Sequence, residues 1–249
     1  MTKWVASLAA LLLGSCAGNQ GSGPPPTVSS IVVFAASSLE PAFVKVAGRV
    51  SPKYRLGVVF NYAGTQALSS QLMQGAQADV FASADTAHMK SLQDAGLIGG
   101  SPQVFGHNRL EIAVEKGNPK GIHTLADLAR AGLVTVLADP SVPAGKYAQQ
   151  ALARAHVTVH PASLEPQVTG VLGKVSLGEA DAGIVYVSDI VSSGKVDGVA
   201  IPDGQNVIAD YPIAKLKSAS NNQGADEFIS YLLSPEGQSI ITGAGFEKA

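Results

Sequence analysis

Small and hydroxyl-bearing residues follow apolar segments of this 249-residue chain at points where a helical pattern begins. Ser37 and Ser38 follow one such segment, Thr65 a second, and Ser141 with Gly145 a third. Hydroxyls and the free N–H groups of a helix start donate hydrogen bonds, and the helix dipole adds partial positive charge. Three such junctions without a charged tip indicate an anion site. The alternative is that the serines only cap helices.

The elements that must position these junctions alternate between strand-like apolar segments and amphipathic helical ones. Strands are predicted over residues 31–34, 56–60, 79–84, 110–114, 134–138 and 182–186, and helices over 66–74, 86–95, 125–131, 146–153, 166–178 and 226–243 (one or two). This order indicates an α/β fold with mostly parallel sheets. Ligands of such sheets bind beyond the carboxyl ends of the strands, where the three junctions lie.

The first 30 residues read as an export signal and a tether. Residues 1–15 hold Lys3 and a short apolar run, and the run ends in Leu-Gly-Ser-Cys, which resembles the lipobox of bacterial lipoproteins. That resemblance implies cleavage before Cys16 and a lipid on it; the alternative is an incidental Cys at the end of a secretory signal. Residues 16–30 are rich in Gly, Pro and Ser, as in a flexible linker.

Composition excludes several classes of function. The chain has 17 basic and 19 acidic residues, a near balance that gives no electrostatic footprint for nucleic acid. Its single cysteine allows no intramolecular disulfide and no site of paired thiolates. Neither a nucleotide-binding glycine motif nor a Gly-x-Ser-x-Gly elbow occurs, and no segment after the signal is long enough to cross a membrane.

The titratable residues assemble no recognisable catalytic group. His156 and His160 lie in a segment that reads as extended, so a solvated loop is expected rather than a metal site. Asp85 precedes a helical segment and is expected to be its N-cap, which weighs against an acid/base pair with Asp79. We therefore expect no enzyme. The alternative is an extracytoplasmic hydrolase that uses Ser38 or Asp79.

Four segments together resemble one family, the periplasmic molybdate-binding proteins of ABC importers, within the two-lobed solute-binding proteins. The segments are FAASSL (34–39), ADVFASAD (78–85), VPAGKYA (142–148) and GIVYVSD (183–189). Their order and spacing agree across nearly the whole mature chain. The second and third segments together are fairly specific, whereas the first alone is not.

The resemblance implies two α/β lobes of the type II-like binding-protein fold, with the ligand in a cleft between them. Lobe 1 would comprise residues 31–108 and 209–249, and lobe 2 residues 109–208. The chain would cross near residues 107–110 and return near 207–211.

Carried over by position, the resemblance also implies five ligand residues. Ser38 and Thr65 would donate hydroxyl and backbone N–H groups from lobe 1. From lobe 2, Ala144 and Val168 would donate backbone N–H groups and Tyr186 its hydroxyl. No cofactor is expected, and molybdenum is expected only as bound molybdate.

The donor chemistry bears on the choice of anion. A tetrahedral oxyanion that is fully deprotonated at neutral pH offers only acceptors, so it suits a site made only of donors. Hydrogen phosphate still carries a proton and is best matched by a site with an acceptor. The nearest carboxylate, Asp139, lies five residues before Ala144. This weighs against phosphate and leaves molybdate, tungstate and sulfate, which differ mainly in size.

The sequence and the resemblance together predict an extracytoplasmic, monomeric receptor for molybdate and tungstate. It would be held at the cell membrane by the lipid on Cys16 and would deliver the anion to an ABC permease with its ATPase. A receptor for sulfate, another small oxyanion or an organic acid is the second hypothesis.

Overall fold

The computed structural model describes residues 29–249. The predicted signal, the predicted lipidation site at Cys16 and the predicted tether up to residue 28 lie outside the described residues. Residues 29 and 30, the end of the predicted tether, already belong to the first strand. Within the described part, no helix is both long and apolar enough to cross a membrane.

The described chain forms ten strands and eight α-helices, which alternate along much of its length. The strands are β1 (Ser29–Ala36), β2 (Leu56–Ala63), β3 (Val80–Ala82), β4 (Gln103–Glu115), β5 (Thr135–Ala138), β6 (Ser163–Glu165), β7 (Ala182–Tyr186), β8 (Val196–Ala200), β9 (Ile208–Lys215) and β10 (Glu247–Lys248). The helices are α1 (Glu40–Tyr54), α2 (Thr65–Met73), α3 (Thr86–Asp94), α4 (Pro143–Arg154), α5 (Val168–Ser176), α6 (Val187–Ser193), α7 (Asn222–Leu233) and α8 (Pro235–Gly243).

The strands follow the order β2-β1-β3-β9-β4-β7-β5-β6, with β8 and β10 also paired to β4. Parallel pairs lie toward both ends: β1 with β2 and β3, and β5 with β6 and β7. Antiparallel β9 and β4 join them. The fold is therefore two-lobed α/β. The first lobe holds β1–β3 and β9, and the second holds β5–β8.

Strand β4 belongs to both lobes. Residues Gln103 to Arg109 pair with β9, whereas Leu110 to Glu115 pair with β7 and β8. The change of partner falls inside the predicted crossing at residues 107–110. The exact residue boundaries of the lobes remain a prediction.

The cores of the two lobes differ in their side chains. Phe43 packs at 5.7 Å between ring centroids against both Phe105 and Phe228 in the first lobe. The second lobe is filled mainly by aliphatic side chains, and there the backbone of Gly183 lies against Val171 and β5. Both cores anchor the strand ends at which the predicted junctions lie.

One predicted helix, residues 125–131, is wrong. Only a short 3-10 turn, Leu125–Ala129, forms there. The Asp127 carboxylate accepts hydrogen bonds from the backbone N–H groups of His123 and Thr124, which fixes the start of the turn. The backbone becomes extended at Arg130, and Gly132 then adopts a φ of +81°. A left-handed residue two positions later prevents the turn from continuing as an α-helix.

Candidate functional site

A small cavity lies where strand ends of both lobes meet. All five predicted ligand residues line it: Ser38, Thr65, Ala144, Val168 and Tyr186. The rest of the lining consists of mostly small neighbours: Ala36, Ser37, Ala63, Gly64, Ala84, Val142 and Pro143. The five predicted residues are each at most 4 % exposed. Anything bound here is removed from water, so each hydrogen bond to it is strengthened.

Three of the helices that begin at this cavity lack side-chain caps. Thr65, Pro143 and Val168 open α2, α4 and α5, and no side chain bonds to the free N–H groups of their first turns. The 3-10 turn Ser37–Leu39, which leads into α1, also has none. The alternative, that its serines merely cap a helix, is therefore wrong. These N–H groups and their dipoles are left for a ligand.

Helices that begin away from the cavity are capped in the ordinary way. Asp85 accepts from the N–H of His88 at the start of α3, as predicted, and Asn221 and Ser234 cap α7 and α8. Capping normally stabilises a helix by about 1 kcal/mol. The missing caps are therefore concentrated at the cavity rather than spread over the fold.

Ser38 is held by a residue of strand β9 in the first lobe. Its Oγ lies 3.0 Å from the hydroxyl oxygen of Tyr211, and either group can donate. Burial of Tyr211 raises the pKa of its hydroxyl, which therefore keeps its proton. When Tyr211 donates to Ser38, the Ser38 proton is free for an acceptor in the cavity.

Thr65 is fixed as a donor by a neighbouring backbone group. Its Oγ1 accepts a hydrogen bond of 3.1 Å from the N–H of Ala84, two residues after the end of β3. One of the two lone pairs of the hydroxyl oxygen is thus engaged inside the first lobe, and the hydroxyl proton can point into the cavity.

Tyr186 ends β7 with a hydroxyl that has no hydrogen-bond partner although it is buried. Burial raises the pKa of this hydroxyl well above its usual value, so it stays a neutral O–H donor. Its ring packs edge-on against Tyr211, with centroids 5.8 Å apart. A buried donor without a partner is costly, which indicates that the site is built to receive an acceptor.

A buried carboxyl group lies behind Tyr186. The Asp189 carboxylate accepts a hydrogen bond of 3.0 Å from the Tyr186 N–H. Burial raises the pKa of Asp189 to about 7, and that hydrogen bond opposes the rise. Asp189 is not among the residues that line the cavity.

The start of α4 lies directly against the end of β5. A Cβ at Gly145 would lie 2.1 Å from the carbonyl oxygen of Asp139 and 2.5 Å from that of Ala138. Only glycine allows this approach, which brings the N–H of Ala144 to the cavity wall. Val168 is the first residue of α5, whereas Ala144 is the second residue of α4, after Pro143.

The site as a whole is neutral. None of its lining residues, all within the described range 29–249, carries a charged side chain. Within the same range, no group of three or more His, Cys, Asp or Glu side chains could hold a metal ion. The arrangement supplies hydroxyl and N–H donors together with helix dipoles, and it suits a ligand made of acceptors.

Comparison with known proteins identifies the family. A model described as "Bacterial extracellular solute-binding protein" matches residues 31–247. This chain belongs to that family. It is therefore an extracytoplasmic solute-binding protein, and the expectation that it is not an enzyme is confirmed by the family it belongs to.

Individual relatives agree with this assignment. The molybdate-binding protein ModA of Mycobacterium tuberculosis is 43% identical over 228 residues, which cover 91% of this chain and 87% of the relative. A putative ABC transporter substrate-binding lipoprotein of Bacillus subtilis, YvgL, is 30% identical over 98% of this chain and 96% of its own length.

Solved structures share the two-lobed fold. A periplasmic molybdate-binding protein of Azotobacter vinelandii gives a TM-score of 0.78 at 20% identity, covering 88% of this chain and 99% of that one. The sulfate-binding protein SubI of Mycobacterium tuberculosis gives a TM-score of 0.81 at 18% identity, covering 89% and 87%. At these identities the likeness establishes the fold of this solute-binding protein.

The residues considered for catalysis have structural roles in this solute-binding protein. Asp79 is buried at the amino end of β3, away from the strand end that reaches the cavity, and accepts from Val32 N–H at 2.7 Å and from Ser220 and Asn221. His156 and His160 are both exposed beyond the end of α4, as expected for a solvated loop.

Sequence reasoning missed two residues next to the cavity. Tyr211 orients Ser38 but sits in the middle of β9, where nothing local distinguishes it from a core aromatic residue. Gln66 donates its amide Nε2–H to the carbonyl of Pro166, 100 residues away at the start of α5. No signal in the sequence predicts a contact between such distant segments.

Proposed function

We propose that this chain is a receptor that binds molybdate, and tungstate in the same way, and hands it to an ABC permease. The observation that carries the proposal is a buried cavity with hydroxyl and N–H donors and no charged side chain on its wall. A fully deprotonated tetrahedral oxyanion presents only acceptors, and it matches that wall. A hydrogen phosphate ion would leave its own proton facing donors.

In this proposal five residues contact the anion. The hydroxyls of Ser38, Thr65 and Tyr186 donate to its oxygens, and the backbone N–H groups of Ala144 and Val168 do the same. All five line the one cavity. The dipoles of the uncapped helices offset the negative charge without a cationic side chain.

Selection of molybdate over sulfate rests on the relatives rather than on the donor set. The M. tuberculosis relative at 43% identity is named a molybdate-binding protein. Sulfate has the same charge and the same acceptors, and it is smaller, so a site that pairs every donor with molybdate would leave some donors unpaired around sulfate. Size is thus the property that the test must address.

Calorimetric titration of the purified protein with molybdate, tungstate, sulfate and phosphate tests the proposal. We expect saturable binding of one molybdate or tungstate per chain, with sulfate and phosphate much weaker. Sulfate binding as tight as molybdate binding, or no response to molybdate and tungstate, would show that the proposal is wrong.

The proposal extends to the place where the receptor works. A lipid on Cys16 would hold it at the outer face of the cell membrane, and the name of the B. subtilis relative includes the word lipoprotein. We expect Cys16→Ser to move the protein from the membrane fraction to the soluble extracytoplasmic fraction.

A further inference from the structure

One hydrogen bond crosses the cleft beside the cavity. Gln66 lies on α2 of the first lobe and donates from Nε2 to the carbonyl oxygen of Pro166 at 2.9 Å. Pro166 stands two residues before Val168, the first residue of α5 in the second lobe. The bond therefore ties together two uncapped helix starts that face the cavity, yet Gln66 is not among the residues lining it.

Gly64 leaves the space in which this contact forms. A Cβ at Gly64 would lie 2.6 Å from the Pro166 carbonyl oxygen and 2.5 Å from the Gln66 Oε1 atom. The Gly64 backbone has φ −59° and ψ 137°, values that any L-residue adopts. The demand for glycine thus comes from the opposite lobe and not from the local backbone.

We propose that Gln66 and Gly64 form a closure latch, which holds the α5 start against the bound anion. The proposal rests on the proposed function, because the anion supplies the contacts that draw the lobes together. Gln66 is a positioning residue: its amide fixes the segment that presents the Val168 N–H. Gly64 permits the lobes to approach closely enough for that bond.

The latch forms after capture, so it governs escape of the anion rather than entry. In the structure the Gln66 Oε1 atom is buried without a hydrogen-bond partner. That cost offsets part of the gain from the Nε2 bond. We therefore expect a modest effect of Gln66 alone, about three- to tenfold in the dissociation rate.

Two variants and two matched controls test the latch, with dissociation rate and affinity for molybdate as readouts. Gln66→Met keeps the length of the side chain and removes the donor, so the anion should leave about three to ten times faster with an unchanged association rate. Its control is Gln77→Met, since Gln77 Nε2 donates to the Gly75 carbonyl within the first lobe. That variant should behave as wild type.

Gly64→Ala should have the larger effect, because its methyl group meets a backbone atom that cannot rotate away. We expect affinity to fall by about 100-fold or more, and the radius of gyration from X-ray scattering to stay at its open value with saturating molybdate. Gly48→Ala, on α1 with nothing within 4 Å of the added Cβ, is the control and should close normally.

The outcomes separate the latch from the proposed function. Gln66→Met with the dissociation rate of wild type, or Gly64→Ala that closes and binds like wild type, would overturn the latch. If wild-type protein instead binds a different oxyanion, the proposed function fails. The same rate comparison made with that anion then decides the latch.

Discussion

The two lobes present donors to the cavity by different means. The first lobe uses the side-chain hydroxyls of Ser38 and Thr65. Each hydroxyl is held by a hydrogen bond with another residue of the same lobe. The second uses backbone N–H groups at the starts of α4 and α5, together with the unpartnered hydroxyl of Tyr186. A hydroxyl donor can be removed by changing one residue, whereas a backbone donor can be displaced only by moving its helix.

The largest effect is therefore expected from a change that displaces a helix start. In Gly145→Ala the new methyl group would collide with the carbonyl oxygen of Asp139 and push the first turn of α4 from the cavity. Loss of its N–H contacts to a charged ligand should weaken molybdate binding by about 100-fold or more, as measured by calorimetry. Overpacking should also lower the free energy of unfolding by about 1–3 kcal/mol.

Gly173→Ala is the matched control for that helix displacement. Gly173 lies on α5 of the same lobe with nothing within 4 Å of an added Cβ. The control should bind as wild type and gain about 0.5–1 kcal/mol in stability. Equal losses of affinity in both variants would contradict the role of the α4 start.

Removal of a first-lobe hydroxyl should have the next largest effect. Ser38→Ala loses one hydrogen bond to a charged ligand, which is worth about 1.5–3 kcal/mol or roughly 10- to 150-fold in affinity. Ser37→Ala is the control, because Ser37 lines the cavity but is not a predicted hydroxyl donor. If Ser37→Ala weakens binding more than Ser38→Ala, the assignment of the two serines is reversed.

Tyr186→Phe sharpens the comparison within the second lobe. We expect an affinity loss of about tenfold, at the lower end of the range for a charged hydrogen bond. Stability without ligand should not fall, since the hydroxyl has no partner in the described structure. Calorimetry and thermal unfolding of the ligand-free protein measure the two quantities separately. A fall in stability at unchanged affinity would make Tyr186 a core residue only.

Asp189→Asn should change binding least and pH dependence most. The pKa of Asp189 is raised by burial to about 7, so the folded protein keeps this proton at pH values where the unfolded chain releases it. Stability is therefore lost as pH rises from about 4 to about 7. Asn cannot ionise and should remove this loss, on the order of 2–4 kcal/mol between pH 5 and pH 8.

Chemical denaturation of the ligand-free protein at those two pH values measures the difference. Affinity of Asp189→Asn at pH 6 should stay within about threefold of wild type, because Asp189 is then already protonated. If the free energy of unfolding of the wild type and of the variant changes with pH in parallel, the Asp189 carboxyl does not titrate in this range.

The sequence predicted the fold class and the positions of most elements, because each strand and helix carries its own apolar period. The prediction of a helix over residues 125–131 failed. The apolar pattern there is helical, but the extended backbone at Arg130 and the left-handed Gly132 end the turn early. Strand β9 was missed as an element, although its start coincides with the predicted return of the chain at 207–211.

How well the site residues could be predicted from the sequence also differs between the two lobes. Ser38 and Thr65 could be selected from residue type and position at strand ends. Ala144 and Val168 could not, because donation from a backbone N–H leaves no mark on the side chain, and they came only from the family resemblance. Missing caps are likewise invisible locally: Ser37 and Ser38 look like caps until Tyr211 is brought to Ser38 by the fold.

The edge-on contact between Tyr186 and Tyr211 gives the protein a built-in optical reporter. Trp4 is the single tryptophan of the chain and lies in the predicted signal, so a protein cleaved as predicted would emit only from tyrosine. Two of its six tyrosines lie at the cavity or one hydrogen bond from it, with ring centroids 5.8 Å apart. Occupancy of the cavity should therefore change the intrinsic tyrosine emission, and capture and release can be followed in real time without a label.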